Sequence, residues 1–313
     1  MKKYWFVSFL VIGGFLASCQ NKPKDGRTDT FTSGVVTIAA DESFEPIVQE
    51  EVDVFEGLNA RASIIPRYVT EVEAVNLLLR DSVRLAITSR KLTPAEMASF
   101  HSRKFFPQEI KLATDGLALI VNKNNPDTLI TVRDIRKILT GKATRWKDVY
   151  PASKLKDINL VFDNKNSSTV RFAIDSICKG EAISGKINAL QKNPDVINYV
   201  AKNIDAIGII GVNWLGDRND TTGLSFRKDI QVMSVSSSDN PSSDNSYKPY
   251  QAYLFYGYYP LTRNLYVLLN DPRSALPWGF SSFLSSERGQ RIILKSGLVP
   301  ATQTIRVVHV KDE

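Results

Sequence analysis

The fold class follows from the stretch Asp163-Asn164-Lys165-Asn166-Ser167-Ser168-Thr169-Val170-Arg171. The preceding residues, 158–162, are apolar enough for a buried strand, and apolar residues recur at positions 170, 174 and 177, the spacing of one helix face. This order puts Ser167, Ser168 and Thr169 at a helix N-terminus, where free N–H groups and the helix dipole favour an anion. The stretch therefore predicts an oxyanion pocket. An ordinary Ser/Thr helix cap is the alternative.

A second strand end carries a similar polar turn. The strand predicted at 35–39 leads into Asp41-Glu42-Ser43-Phe44-Glu45-Pro46, and the proline suits the first turn of a helix. The Ser43 hydroxyl and the Phe44 amide are therefore candidate anion donors. The acidic residues of the turn favour a plain helix cap instead, because carboxylates repel anions.

Further strand ends extend the pattern. The strand predicted at 84–88 ends in Ser89 and Arg90, and Thr70 begins a helix with the spacing of a capping box. Strands that alternate with helices at this density indicate an α/β protein with a largely parallel sheet. Ligands of such sheets bind outside the carboxyl ends of the strands. The turns with Ser43, Ser89 and Ser167 are thus expected to share one cleft.

The N-terminus has the pattern of a bacterial lipoprotein. Two lysines precede an apolar run, 4–15, that is too short to span a bilayer comfortably. The sequence Leu16-Ala17-Ser18-Cys19 resembles a lipobox, which implies cleavage before Cys19 and lipidation of its thiol. We therefore predict a signal peptide over 1–18, a polar tether over 19–34 and a periplasmic protein that is lipid-anchored to a membrane. An uncleaved anchor is the alternative.

Length and composition narrow the remaining possibilities. The 313 residues, 43% of them hydrophobic and 23% charged, indicate a globular chain long enough for two domains. The net charge of +7 is not gathered into one basic tract, so we expect no nucleic-acid partner. Of the two cysteines, Cys19 would carry the lipid, which leaves Cys178 as a packed side chain without a disulfide partner.

The C-terminal third gives two more predictions. Residues 250–259 contain six aromatics in ten positions, which favours strand or interface packing over a carbohydrate-stacking platform. The sequence of residues 281–294 predicts a single helix near the C-terminus.

Several motifs together resemble the phosphate-binding proteins of bacterial ABC importers, in the type II periplasmic binding protein superfamily. The resemblance covers nearly the whole mature chain, and the lipobox and the Asn-Ser-Ser-Thr sequence at 166–169 resemble the Bacteroidetes branch. The motifs that carry it are ESFEP at 42–46, ATDGLALIVN at 113–122, AIGIIG at 206–211, YPLTRNLY at 259–266, SERGQ at 286–290 and GLVP at 297–300.

The resemblance implies two α/β lobes, joined by crossover strands at or near 117–121 and 261–268, with a ligand cleft between them. Lobe 1 would comprise residues 35–116 plus 260–313, and lobe 2 residues 117–259. The implied protein is a lipid-anchored monomer that captures inorganic phosphate through hydrogen bonds and delivers it to an ABC permease. No cofactor or metal is expected.

The family's ligand positions can be carried over residue by residue. Ser43 and Phe44 match its first-turn ligands, Thr70 matches a second-turn hydroxyl, and residues 166–169 match its Gly-Ser-Gly-Thr loop. Where many members have an aspartate that accepts the phosphate proton, this chain has Arg90. The acceptor is then expected to be Asp115, or secondly Asp41. The predicted phosphate site comprises Ser43, Phe44, Thr70, Ser89, Arg90, Asp115, Asn166, Ser167, Ser168 and Thr169.

Several alternatives stay open at this stage. Arg90 can pair with a neighbouring carboxylate, or its presence can indicate another oxyanion, such as sulfate or molybdate. A phosphate-sensing lipoprotein without a transport role is a further possibility. A serine hydrolase would need an adjacent base, and His101 and His309 lie in no recognisable motif. The chain also has no Walker, zinc or Gly-x-Ser-x-Gly signature, so we expect no enzyme activity.

Overall fold

The computed structural model describes residues 26–184, 187–217, 220 and 225–303. Its strands are β1 (Gly34–Asp41), β2 (Ala62–Val69), β3 (Leu85–Thr88), β4 (Gln108–Asn122), β5 (Leu129–Thr131), β6 (Asn159–Phe162), β7 (Ile187–Ala189), β8 (Ala206–Gly211), β9 (Ile230–Val232), β10 (Ser234–Ser236), β11 (Thr262–Leu269) and β12 (Val299–Pro300). Its α-helices are α1 (Glu45–Leu58), α2 (Glu71–Leu79), α3 (Pro94–Ser102), α4 (Val132–Leu139), α5 (Ser168–Phe172), α6 (Asn193–Lys202), α7 (Gln251–Phe255), α8 (Leu276–Ser285) and α9 (Glu287–Lys295).

The fold is a mixed α/β arrangement of two lobes that share one sheet. Within the described residues the sheet has the strand order β2-β1-β3-β11-β4-β8-β6-β7, with β9 and β12 also paired to β4. Parallel pairs on either side, β1 with β2 and β3, and β6 with β7 and β8, are the α/β units predicted from the sequence. We refer to the half around β1–β3 and β11 as lobe 1 and to the half around β6–β9 as lobe 2.

Strand β4 passes from one lobe to the other. Its first part, 108–116, pairs antiparallel with β11, and its later part, 117–121, pairs antiparallel with β8. Residues 117–121 are thus the crossover that the resemblance implied. The whole of β11 pairs within lobe 1, so the chain returns to that lobe just before Thr262.

Short-range side-chain caps fix the starts of the helices next to the strand ends. The Thr70 hydroxyl accepts a hydrogen bond from the Glu73 amide, and Ser167 accepts one from Val170 at 3.2 Å. Both are the contacts that satisfy the free N–H groups of a first helical turn. They orient the two turns that border the cleft.

Two predictions for the C-terminal third are wrong in detail. Residues 250–259 do not form a strand, because α7 lies there. The aromatic rings of this segment do pack on one another, as with Tyr250 and Tyr253, whose centroids are 6.3 Å apart. The predicted helix over 281–294 is two helices, because Ser286 adopts an extended backbone (ψ 165°) and caps α9 through the Gly289 amide. Cys178 is buried, as expected, and forms no disulfide with any residue that the structure describes.

The end of the predicted tether packs onto lobe 1. Arg27 forms an ion pair with Asp271 at 2.9 Å, and the buried carboxylate of Asp29 accepts a hydrogen bond from the Leu276 amide. A Cβ added at Gly279 would lie 1.8 Å from the Phe31 carbonyl oxygen, so the packing is intimate. A free tether would therefore be shorter than 19–34. The signal peptide and Cys19 lie outside the described residues, and among those described no helix is long and apolar enough to span a bilayer.

Candidate functional site

The candidate site is a group of buried side chains at the carboxyl ends of β1 and β6, where the lobes meet. The Ser43 hydroxyl, from the turn after β1, lies 3.1 Å from the Ser168 hydroxyl, at the start of α5. Arg263, from β11, donates through Nη1 to the same Ser168 oxygen at 2.7 Å. All three residues are buried, so the two predicted anion loops do meet in one cleft.

Arg263 is held from below by Asp115. The two residues face each other in the antiparallel register of β11 and β4, and Arg263 Nε donates to Asp115 Oδ2 at 2.9 Å. The guanidinium also lies over the Phe44 ring, 4.6 Å from its centroid. The sequence analysis included Arg263 only as part of a family motif. The feature that could have indicated its role is an arginine in a strand that is otherwise largely apolar.

Polar atoms in this cluster have unused hydrogen-bonding capacity. Asp41 accepts a hydrogen bond from the Ser43 amide through Oδ1 at 3.0 Å, whereas its Oδ2 has no partner of normal geometry, although Ser168 lies close. Among the described residues, Asp115 Oδ1, Thr169 Oγ1 and Arg263 Nη2 are likewise buried without a partner of normal geometry, although the Val212 and Gly116 amides lie close to the Asp115 carboxyl. Because buried polar groups in proteins are normally hydrogen-bonded, these four atoms point to a ligand that both accepts and donates hydrogen bonds.

Burial shifts the carboxyl groups of the cleft towards their neutral forms. It raises the pKa of Asp41 to about 6, an effect that the negative charge of Glu71 strengthens and Arg263 opposes. Burial also raises the pKa of Asp115, again against Arg263, and that of Asp163. The pKa of Glu42 rises to about 7 through burial and the charges of Asp163 and Asp41. The cleft is therefore least negative in mildly acidic solution.

Ser89 lies in a separate group beside this cluster. Its amide and its hydroxyl both donate to Glu71 Oε1, at 2.8 and 2.7 Å. Arg171, from α5 on the other lobe, donates to Glu71 Oε2 at 2.6 Å and to the Ser89 hydroxyl at 2.8 Å. The Ser89 hydroxyl is thus occupied by protein partners, although its position beside the cleft is the predicted one.

Arg90 adopts the alternative that the sequence left open. Its guanidinium forms a two-pronged pair with Glu96, at 2.7 and 2.8 Å, and its Nε lies 3.7 Å from Glu71. Glu96 is the N3 residue of the α3 capping box, so its carboxylate is held close to Arg90 and can pair with the guanidinium. Arg90 therefore faces carboxylates of its own lobe and does not contact Ser43 or Ser168.

The other predicted ligands have mixed placements. Thr70 and Ser167 serve as the helix caps described above, and the exposed Asn166 donates its amide to Asn164 Oδ1 in a local turn. Phe44 packs under Arg263, while Thr169 is fully buried with its hydroxyl unpartnered. The structure thus brings Ser43, Phe44, Asp115, Ser168 and Thr169 together and leaves Thr70, Arg90 and Asn166 outside this group.

Two lobe 2 residues that the sequence did not indicate also reach Ser43. The Ser43 carbonyl accepts a hydrogen bond from Trp214 Nε1 at 2.8 Å and one from Asn213 Nδ2 at 3.1 Å. They follow β8 directly, so the AIGIIG motif gave their place in the sheet but not their contact. These bonds add to the direct contacts between the two lobes.

The described residues show neither a metal centre nor a histidine at the cluster. No group of three or more His, Cys, Asp and Glu side chains in that part of the chain has a geometry suited to a metal ion. His101 lies on the exposed side of α3, where its ring centroid is 5.1 Å from that of Phe106. His309 lies outside the described residues.

Comparisons with known proteins agree with the geometry. Residues 25–288 match the family model described as the PBP superfamily domain. A phosphate-binding protein PstS of Staphylococcus aureus is 24% identical over 87% of this chain and 79% of its own length. A Clostridium perfringens structure with bound phosphate covers 86% of this chain and 100% of its own, with TM-score 0.70 and 20% identity. An ABC-type phosphate transport receptor from Vibrio cholerae covers 85% and 100%, with TM-score 0.62 and 22% identity.

Proposed function

The chain belongs to the PBP superfamily, and on that premise we propose that it is an extracytoplasmic solute-binding protein that captures inorganic phosphate for an ABC importer. The observation that carries the proposal is the set of four buried, unpartnered atoms of Asp41, Asp115, Thr169 and Arg263, which both lobes contribute. Phosphate suits this set because its oxygens accept hydrogen bonds while its protonated oxygen donates one. The Staphylococcus aureus relative, named as phosphate-binding, supports the same ligand.

We assign the donor roles to Ser43, Phe44, Ser168, Thr169 and Arg263. The hydroxyls of Ser43 and Ser168 already lie within 3.1 Å of each other, and Arg263 carries the positive charge that a phosphate needs in a buried site. Ser167 shapes the loop as its helix cap. Thr70, Ser89 and Arg90 support the turns through their own protein partners and would not touch phosphate.

The acceptor role falls to Asp115 and Asp41. Each carboxyl uses one oxygen within the protein and keeps the other unpartnered at full burial. A protonated phosphate can donate to such an oxygen, whereas sulfate would place two acceptors against each other without a hydrogen between them. The arrangement therefore favours phosphate over sulfate, with the aspartates in the role that the sequence first left uncertain.

Calorimetric titration of the mature soluble chain tests the proposed function. We expect saturable binding of phosphate at one site and much weaker binding of sulfate and molybdate under the same conditions. Equal affinities for the three anions would refute the acceptor roles, and no heat with phosphate would refute the ligand.

Phosphate affinity is expected to fall as the pH rises. The carboxyls of Asp41 and Glu42, with pKa values raised to about 6 and about 7, are neutral at lower pH and charged above it. Their added charge repels an anion, so the dissociation constant should rise on the order of tenfold between about pH 5.5 and about pH 8.5.

Titrations at constant ionic strength measure this pH dependence. Glu42→Gln serves as the matched variant: it removes one titrating group and should flatten the upper part of the curve. An affinity that is constant or that rises with pH contradicts the prediction.

We also propose that Cys19 carries the lipid that anchors the protein to a bacterial membrane. Cys19→Ser should abolish acyl labelling and leave the precursor uncleaved, because the thiol is the site of modification. Metabolic labelling with a fatty acid, with Cys178→Ser as the control, decides the point. Label retained in the Cys19 variant would end the assignment.

A further inference from the structure

A bridge of three residues connects the lobes beside the phosphate cluster. Glu71 and Ser89 belong to lobe 1, and Arg171 belongs to α5 of lobe 2. Arg171 Nε donates to Glu71 Oε2 at 2.6 Å, and its Nη2 donates to the Ser89 hydroxyl at 2.8 Å. We call these three residues the interlobe bridge.

Lobe 1 presents Glu71 in a fixed position. The side chain is 1% exposed, and its Oε1 accepts hydrogen bonds from both the amide and the hydroxyl of Ser89. Arg90 also lies near Glu71, but both of its terminal guanidinium nitrogens donate to Glu96. The Nε of Arg90 is 3.7 Å from Glu71 Oε2. Arg171 therefore provides the direct charge-assisted bond to this oxygen.

A residue of lobe 2 also orients the Arg171 side chain. Arg171 Nη1 lies 3.3 Å from the carboxylate of Asp175, one helical turn further along, so the guanidinium is held by Asp175 on one side and by lobe 1 on the other. Arg171 follows Thr169 by two residues on the same short helix. A bond that fastens Arg171 to lobe 1 also holds the Ser168 and Thr169 hydroxyls against the turn that carries Ser43.

From this geometry we infer that Arg171 is a positioning residue for phosphate: it stabilises the closed cleft through Glu71 and Ser89 without touching the ligand. The inference rests on the proposed function. Breaking the bridge leaves a buried carboxylate with fewer partners, so the bridge favours closure even before phosphate arrives. A larger closed fraction raises the apparent affinity for any ligand that the closed cleft accepts.

The test compares Arg171→Ala, Arg171→Lys and Glu71→Gln, with Arg145→Ala as a surface control whose ion pair with Asp148 is remote in sequence from the bridge. Arg171→Ala should weaken phosphate binding about tenfold, mainly through faster dissociation, and Arg171→Lys should restore part of the loss. Arg171→Ala combined with Glu71→Gln should be no weaker than the more affected single variant. Arg145→Ala should match the wild type.

Two readouts separate positioning from other roles. The ratio of phosphate to arsenate affinity should stay unchanged in Arg171→Ala, because the ligand never meets the guanidinium. Small-angle scattering should show a more open ligand-free protein than the wild type, because an open cleft lets water reach the unpaired Glu71 carboxylate. An altered anion ratio, an unchanged phosphate affinity or unchanged scattering would overturn the inference. If the wild type fails to bind phosphate, the proposed function falls, and the scattering comparison still decides the role of the bridge.

Discussion

Arg263→Ala is expected to remove tight phosphate binding and to destabilise the protein at the same time. Arg263 is 5% exposed, pairs with Asp115 and donates to Ser168, so its loss removes a buried positive charge from the proposed anion site. Truncation of one partner of a buried charge pair costs roughly 2–5 kcal/mol in binding, which corresponds to about 30-fold to a few thousand-fold in affinity. The free energy of unfolding should drop by about 3–5 kcal/mol, because Asp115 is left buried and unpaired.

A double variant separates the two effects. Arg263→Met together with Asp115→Asn replaces the pair by groups that carry no charge, so most of the lost stability should return. Phosphate affinity should stay low, since both the donor and one acceptor are missing. Denaturant unfolding and calorimetry on the same samples measure both quantities. Near-native phosphate affinity in Arg263→Ala would show that this arginine is not part of the site.

Glu51→Gln is expected to stabilise the protein, and more so at higher pH. Glu51 is 2% exposed on α1, and neither of its carboxylate oxygens has a hydrogen-bond partner among the described residues. Burial, with a smaller contribution from Glu50, raises its pKa to about 9. The folded state thus holds a proton that the unfolded chain releases near pH 4.5, and stability is lost progressively between those two pH values. At about pH 8 the variant should be more stable by roughly 2–4 kcal/mol.

The pH dependence is the decisive part of this measurement. Near pH 5 the wild type and Glu51→Gln should be almost equally stable, because little of the protonation cost has accrued there. Glu50→Gln is the matched control: it lies next in sequence but is exposed, so it should change stability little at either pH. A stability difference that does not vary with pH would contradict the assignment to Glu51 ionisation.

The sequence determined the local structure well where neighbours within a few residues decide it. The Thr70 and Ser167 caps depend on amides three positions further along, and the structure has both, although Thr70 forms only one half of the expected capping box. Pro46 lies in the first turn of α1, as expected. The same short-range logic explains a miss: Ser286 is also a cap, and it divides the segment that apolar periodicity presented as one helix.

The residues of the candidate site likewise fall into those that the sequence could predict and those that it could not. Ser43 and Ser168 could be predicted to meet, because each follows a strand at the same edge of an α/β sheet. Arg263 could not, since its partner Asp115 lies 148 positions away and the pairing depends on the register of β11 against β4. The fate of Arg90 depended on which of several carboxylates lay closest, and only Glu96 offered a two-pronged fit.

By itself, the sequence determined the α/β class, the strand–helix junctions that we propose to bind an anion and the resemblance to a family, because these follow from hydrophobic spacing and short-range hydrogen bonds. Only the tertiary structure decided which charged groups enter the cleft. Burial makes an unpaired charge costly, so each buried carboxylate competes for the nearest guanidinium in three dimensions. Here Asp115 holds Arg263 in the cleft while Glu71 binds Arg171 beside it, and no pattern along the chain encodes that outcome.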